Sequence, residues 1–202
     1  MADKSSPKQV ALAKRCTDAG LAYFRFDHRG CGESGGSFEK DTTLENRVMD
    51  LVAAVGTIHG ILGKSLPVGL FGSSLGGTVC LMASSEIAPF AVVTLAAPVR
   101  SGFIRIPEDS PESLTQETLG NKLSFDIAAT MESIDHILVI HGSDDETVAV
   151  ENASWIYRHA RDPKALLILK NADHRISDKG DQKRFMENAT KWFSDCYSSR
   201  FE

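Results

Sequence analysis

Apolar positions along the chain switch between two rhythms. Behind Ser6-Pro7, which reads as an N-cap and first helical residue, Val10, Leu12, Ala13, Cys16 and Ala19 form a stripe that Gly20 ends, predicting a helix over 7–19. Thr42-x-x-Glu45 resembles a capping box, and Leu44, Val48, Leu51, Val52, Val55 and Ile58 then recur at helical spacing, predicting a helix near 43–60. Further helices are expected from about 75, over 149–160 and over 180–196; the last carries Phe185, Met186, Ala189, Trp192, Phe193 and Cys196 along one face. Between the helices lie short runs that are apolar at nearly every position: 21–26, 68–71, 90–95, 137–140 and 166–169. A strand with one wet face alternates, whereas an unbroken apolar run belongs to a parallel sheet covered on both faces. The predicted fold is therefore α/β and doubly wound, with a mainly parallel sheet of about five strands. From 99 to 136 the rhythm weakens around Pro107 and Pro111, with one short helix expected near 124–131. The whole chain, 1–202, reads as one domain with a small lid at about 100–135.

Composition narrows the function. The formal charge of −5, from 22 basic and 27 acidic residues with no basic run, excludes attraction to phosphate backbones or anionic lipid, so no nucleic-acid or membrane partner is expected. The four cysteines, Cys16, Cys31, Cys80 and Cys196, form no Cys-x-x-Cys pair and fit reduced thiols in a cytoplasmic protein. No apolar run approaches the length of a membrane span, and the polar start lacks the core of a signal peptide.

Gly72-Ser73-Ser74-Leu75-Gly76 has the Gly-x-Ser-x-Gly form at a strand-to-helix junction, which makes Ser74 the candidate nucleophile. Such a turn bends so sharply that the positions two residues either side are expected to be small. Serine needs a base, and the base needs an orienting carboxylate. Both follow predicted strands: His141-Gly142-Ser143-Asp144-Asp145 after 137–140, and Asn171-Ala172-Asp173-His174 after 166–169. Ligands in open parallel sheets bind at those strand ends. On residue type alone either Asp144 or Asp145 can serve. The remaining histidines, His28, His59, His136, His141 and His159, read as structural or surface residues, and Cys80 as a small core residue.

Taken together these segments resemble the α/β-hydrolases over nearly the whole chain. Asp27-His28-Arg29-Gly30-Cys31-Gly32-Glu33-Ser34 is similar to the family's Asp-x-Arg-Gly-x-Gly-x-Ser turn, Gly72 to Gly76 to its nucleophile elbow, His141-Gly142-x-x-Asp145 to its acid turn and Ala172-Asp173-His174 to its histidine loop. Within the family, Ser34-Gly35-Gly36-Ser37-Phe38-Glu39 and Asp173 to Asp178 most resemble small cinnamoyl and feruloyl esterases. The resemblance implies catalytic Ser74, His174 and Asp145 rather than Asp144, with the Leu75 N–H as one oxyanion donor, a small ester as substrate and no cofactor. It assigns Asp27 and Arg29 to fixing their turn.

The chain departs from the family at its start, where Met1-Ala2-Asp3-Lys4 corresponds to a position just past the third strand and its His-Gly loop. The strand at 21–26 is then expected to lack its usual neighbour and to pair laterally with 68–71, or to be covered by a homo-oligomer partner or a preceding segment, or to be exposed and poorly ordered. The second oxyanion donor is expected to be missing. The leading expectation is a serine esterase acting through an acyl-enzyme. Its alternatives are a non-catalytic binding protein of the same framework, and a peptidase or thioesterase. Phe103, Ile104, Ile106, Leu114 and Phe125 are candidate lining residues of the lid, or local packing.

Overall fold

The structure is a computed structural model and describes residues 3–105 and 124–201. Its sheet has four strands, β1 (Gly69–Ser73), β2 (Ala91–Leu95), β3 (Ile137–Gly142) and β4 (Lys164–Leu169), in that spatial order and all parallel. Ser73 pairs with Leu95, Leu95 with Ile140, and Gly142 with Leu169, so the C-terminal ends of the strands share one rim. Every residue of β2 and β3 is buried, as their unbroken apolar runs predict, while β1 and β4 at the edges are only partly so.

Helices cover both faces. On one, Leu12 and Cys16 of α1 (Pro7–Asp18) join Phe185, Met186, Ala189 and Phe193 of α6 (Lys179–Phe201) against Val93, Leu138 and Ile140. On the other, Cys80 and Leu81 of α4 (Leu75–Ile87) and Ala153 and Ile156 of α5 (Glu151–His159) pack on Val92, Ile137 and Val139. The amphipathic α3 (Leu44–Leu62) lies outside α4, its Leu44, Val48 and Leu51 meeting Val79 and Met82. Each large apolar side chain so buried contributes about 1.5–3 kcal/mol. A single turn, α2 (Phe38–Asp41), precedes α3.

Three expectations need correction. Residues 21–26 form no strand, so the sheet has four strands rather than five, and they do not pair with β1. The segment is extended with alternating exposure: Leu21 and Tyr23 pack inward on the core, while Phe24 is 54% exposed. Its apolar side chains find burial without a ladder, and its half-exposed backbone can be satisfied by water. It is anchored by side chains instead: Tyr23 donates to Gln9, Arg25 to the Lys4 carbonyl, and the Lys4 N–H to Asp27. The cap of α3 is Thr43, which accepts from the Asn46 N–H, and not Thr42, whose buried hydroxyl has no partner. The helix expected near 124–131 is a 3-10 turn over Ala128–Ser133.

Candidate active site

Ser74 sits at the junction of β1 and α4 with φ 53° and ψ −128°, a left-handed backbone held by its N–H bond to the Leu95 carbonyl at 2.7 Å. The turn is tight on one side only. A Cβ at Gly72 would lie 2.2 Å from the Gly76 carbonyl oxygen and 2.5 Å from the Gly77 nitrogen, whereas one at Gly76 would meet nothing within 4 Å. Smallness is therefore required at 72 and not, as expected, at 76. Leu75 opens α4, so its N–H belongs to the first turn, which has no intrahelical acceptor.

Asp145 and His174 come from the loops after β3 and β4. These loops are bound to each other: Ser143 N–H donates to the Leu169 carbonyl, Asp144 N–H to the Ala172 carbonyl and Asn171 N–H to the Ser143 hydroxyl. At Gly142 even a methyl group would come within 2.2 Å of the Ala172 oxygen. The registry of two adjacent strands thereby fixes the acid loop against the histidine loop.

The three side chains meet. His174 Nε2 lies 3.1 Å from Ser74 Oγ, and its Nδ1 lies 2.8 Å and 3.0 Å from the two oxygens of Asp145. Asp144 is exposed and accepts from the Ser143 hydroxyl, so of the two adjacent carboxylates Asp145 is the one that reaches the imidazole. Burial alone would raise the Asp145 carboxyl. The neighbouring His141 and His174 imidazoles and the Val148 N–H outweigh it and hold the group well below the usual carboxylate range. An unprotonated carboxylate only accepts, so the proton of His174 sits on Nδ1 and the Nε2 lone pair faces the serine hydroxyl. The arrangement can pass a proton from hydroxyl to imidazole and stabilise the cation that results.

Sequence reasoning missed part of this cluster. His141, read as structural, is wholly buried with Nε2 3.1 Å from Asp145 Oδ2. Glu146 accepts from the His174 backbone N–H at 3.1 Å. The only available signal was the i,i+4 spacing of His141 and Asp145 across a glycine. The other histidines lie elsewhere: His28 faces Asp50, His59 the Leu66 carbonyl, His136 Asp135, and His159 stacks on Trp155. Asp27 and Arg29 hold their turn, Asp27 accepting from Glu33 N–H and Arg29 pairing with Asp50. Burial pushes the Cys80 thiol up to about 12, which suits a core residue rather than a nucleophile. Of the candidate lining residues, Ile104 bridges to Val148 and Phe125 packs on the body; Ile106, Leu114 and the Phe103 side chain lie outside the described residues. Among the described residues no cluster could hold a metal ion, and no helix is long and apolar enough to cross a membrane.

Comparison with known proteins supplies the family. The chain is 26% identical over 201 residues to the mitochondrial palmitoyl-protein thioesterase ABHD10 of Mus musculus, covering 86% of this chain and 66% of that one. It is 28% identical over 185 residues to the uncharacterised protein YqkD of Bacillus subtilis (strain 168), covering 79% and 58%. The chain thus spans between half and two thirds of the length of these relatives. Among solved structures, the esterase domain of a Rhodothermus marinus protein has TM-score 0.66 at 25% identity, covering 93% of this chain and 80% of that one. Est1E of Butyrivibrio proteoclasticus, solved with ferulic acid bound, has TM-score 0.79 at 18% identity, covering 98% and 86%. A sequence model of the family described as serine aminopeptidase, S33, matches residues 2–121, more than half of the chain. With a parallel sheet flanked by helices and this match, the chain belongs to the serine aminopeptidase S33 family of the α/β-hydrolase superfamily.

Proposed function

We propose that the protein is a serine hydrolase that cleaves small carboxylic esters. The observation that carries this reading is the continuous line from the Ser74 hydroxyl through His174 to Asp145, with contacts of 3.1 Å and 2.8 Å. Ser74 Oγ attacks the ester carbonyl carbon while His174 Nε2 takes its proton. The tetrahedral intermediate collapses as His174 returns that proton to the departing alcohol, leaving an acyl-enzyme. Water, deprotonated by the same nitrogen, then releases the acid. Asp145, kept ionised, holds the imidazole in the productive tautomer and stabilises the imidazolium. The Leu75 N–H takes a share of the negative charge on the carbonyl oxygen, a role worth about 10²–10³ in turnover for one donor.

The likeness to an esterase domain, and to Est1E with ferulic acid bound, supports esters as the substrate class. A second reading, thioester cleavage, is favoured by the likeness to ABHD10, and it uses the same steps with a thiolate leaving group. A fluorophosphonate probe tests the nucleophile: the protein is expected to be labelled and Ser74→Ala not. Labelling retained in Ser74→Ala overturns the assignment. Comparing short-chain nitrophenyl esters, acyl-thioesters and peptide anilides then decides among leaving groups, and faster anilide cleavage overturns the ester reading in favour of a peptidase.

A further inference from the structure

We propose that His141 is a positioning residue of this site: a second imidazole beside Asp145, whose Nε2–H holds the Val148 carbonyl and with it the loop that fixes the carboxylate orienting His174. The inference rests on the proposed roles of Ser74, His174 and Asp145. His141 is wholly buried at the end of β3. Its Nε2 lies 3.1 Å from Asp145 Oδ2 and 2.9 Å from the Val148 carbonyl, while its Nδ1 is buried without a partner. A proton on Nδ1 would therefore be an unsatisfied buried donor, so in its neutral form the ring carries its proton on Nε2 and donates it to the Val148 carbonyl.

Val148 closes a circuit. Its carbonyl accepts from His141, and its N–H donates to Asp145 Oδ1 at 2.7 Å, beside the Thr147 N–H at 2.9 Å. One carboxylate oxygen is thus held by two backbone N–H groups, one of them from the residue that His141 ties down, and the other lies 2.8 Å from His174 Nδ1. A carboxylate free to rotate about its Cβ–Cγ bond would present itself to His174 in several ways. Held at both oxygens, it presents one. Nearby charge does not provide this hold, because Asp144, Glu146 and Asp173 are carboxylates, and the Lys8 ammonium is engaged with the Arg175 carbonyl.

A residue that only fills the core would affect stability and leave the His174–Asp145 bond unchanged. Three substitutions separate the cases. His141→Phe removes the donor and keeps a flat but larger ring, His141→Asn ends its amide short of the Val148 carbonyl, and His141→Gln carries an amide N–H to the place of Nε2. The readout is the far-downfield proton resonance of His174 Nδ1–H, identified by its loss in His174→Ala. It is expected to move in His141→Phe and His141→Asn and to return towards its natural position in His141→Gln. Alongside, kcat for a short-chain nitrophenyl ester is expected to fall about tenfold in the first two variants, with KM within about twofold. If His141→Phe does not fold, the Asn and Gln variants carry the comparison. A resonance at the natural position in the donor-less variants overturns the role of His141. This readout needs no turnover, so it is separate from the failure of the hydrolase reading, which shows as a natural protein unlabelled at Ser74.

Discussion

Ser74 occupies a backbone conformation that crowds any side chain, and the fold holds it there through the Leu95 carbonyl. Removing the side chain relieves that crowding. Ser74→Gly is expected to raise stability by about 1 kcal/mol in urea denaturation while abolishing phosphonate labelling. A variant no more stable than the natural protein shows that the turn stores no strain. The glycines around it differ in kind. Gly72→Ala forces a methyl group into the backbone of the next turn and is expected to cost about 2–3 kcal/mol or more, whereas Gly76→Ala fits and leaves stability unchanged or slightly improved. The motif's spelling marks the candidate nucleophile but not which of its glycines is sterically required. That depends on which backbone atoms fold back over the turn. Asp145 and Asp144 were likewise inseparable by residue type, because the choice lies in the direction each side chain takes from adjacent loop positions.

Among the elements, α3 separates two neighbouring threonines, of which only Thr42 carries the capping-box spacing to Glu45. Thr43 caps the helix, and Thr43→Ala is expected to lower stability by about 1 kcal/mol. Thr42 buries an unpartnered hydroxyl at 5% exposure, so Thr42→Val, with the same shape, is expected to be neutral or stabilising. Chemical denaturation of both variants checks the pair, and the opposite order refutes the assignment of the cap. Strands β2 and β3 were legible because full burial leaves an unbroken apolar run, and α1, α3 and α6 because their stripes are long. Residues 21–26 carry a run of the same kind yet make no ladder. Apolarity records that side chains are covered, whereas a strand also needs a neighbour for its backbone. α2 escaped notice because four residues are little more than one helical turn and show no periodicity.

For the whole molecule, acid sensitivity comes from the His28 imidazole and, at lower pH, from carboxylates held below their usual range, Asp145 together with Asp27, Asp50, Asp126 and Asp173. Burial first, and the Arg47 guanidinium second, outweigh Asp50 and Asp27 and depress the His28 imidazole to about 4. Its folded value thus lies below the unfolded value of about 6.5, so the unfolded chain takes up a proton that the folded chain refuses. Stability from this residue is complete above about pH 6.5 and declines as the pH falls towards 4. Asp145, depressed below the carboxylate range, contributes in full above the unfolded carboxylate value and loses that contribution as the pH falls from there through its lower folded value. Between about pH 5 and 6.5 the slope therefore belongs largely to His28, and His28→Gln is expected to flatten the fall in Tm across that interval. An unchanged slope places the proton uptake elsewhere.

The three side chains of the proposed site stand far apart along the polymer, His174 one hundred residues from Ser74 and twenty-nine from Asp145. No fragment holding one strand can assemble them, and a slip of one residue between β3 and β4 would carry the carboxylate out of reach of the ring. On the proposed chemistry, a chain that accepts the phosphonate is one whose sheet was correctly closed at that moment. Covalent tagging at Ser74 then works as a census of native molecules, and its yield across a denaturant series would trace the folded population even in a crude mixture.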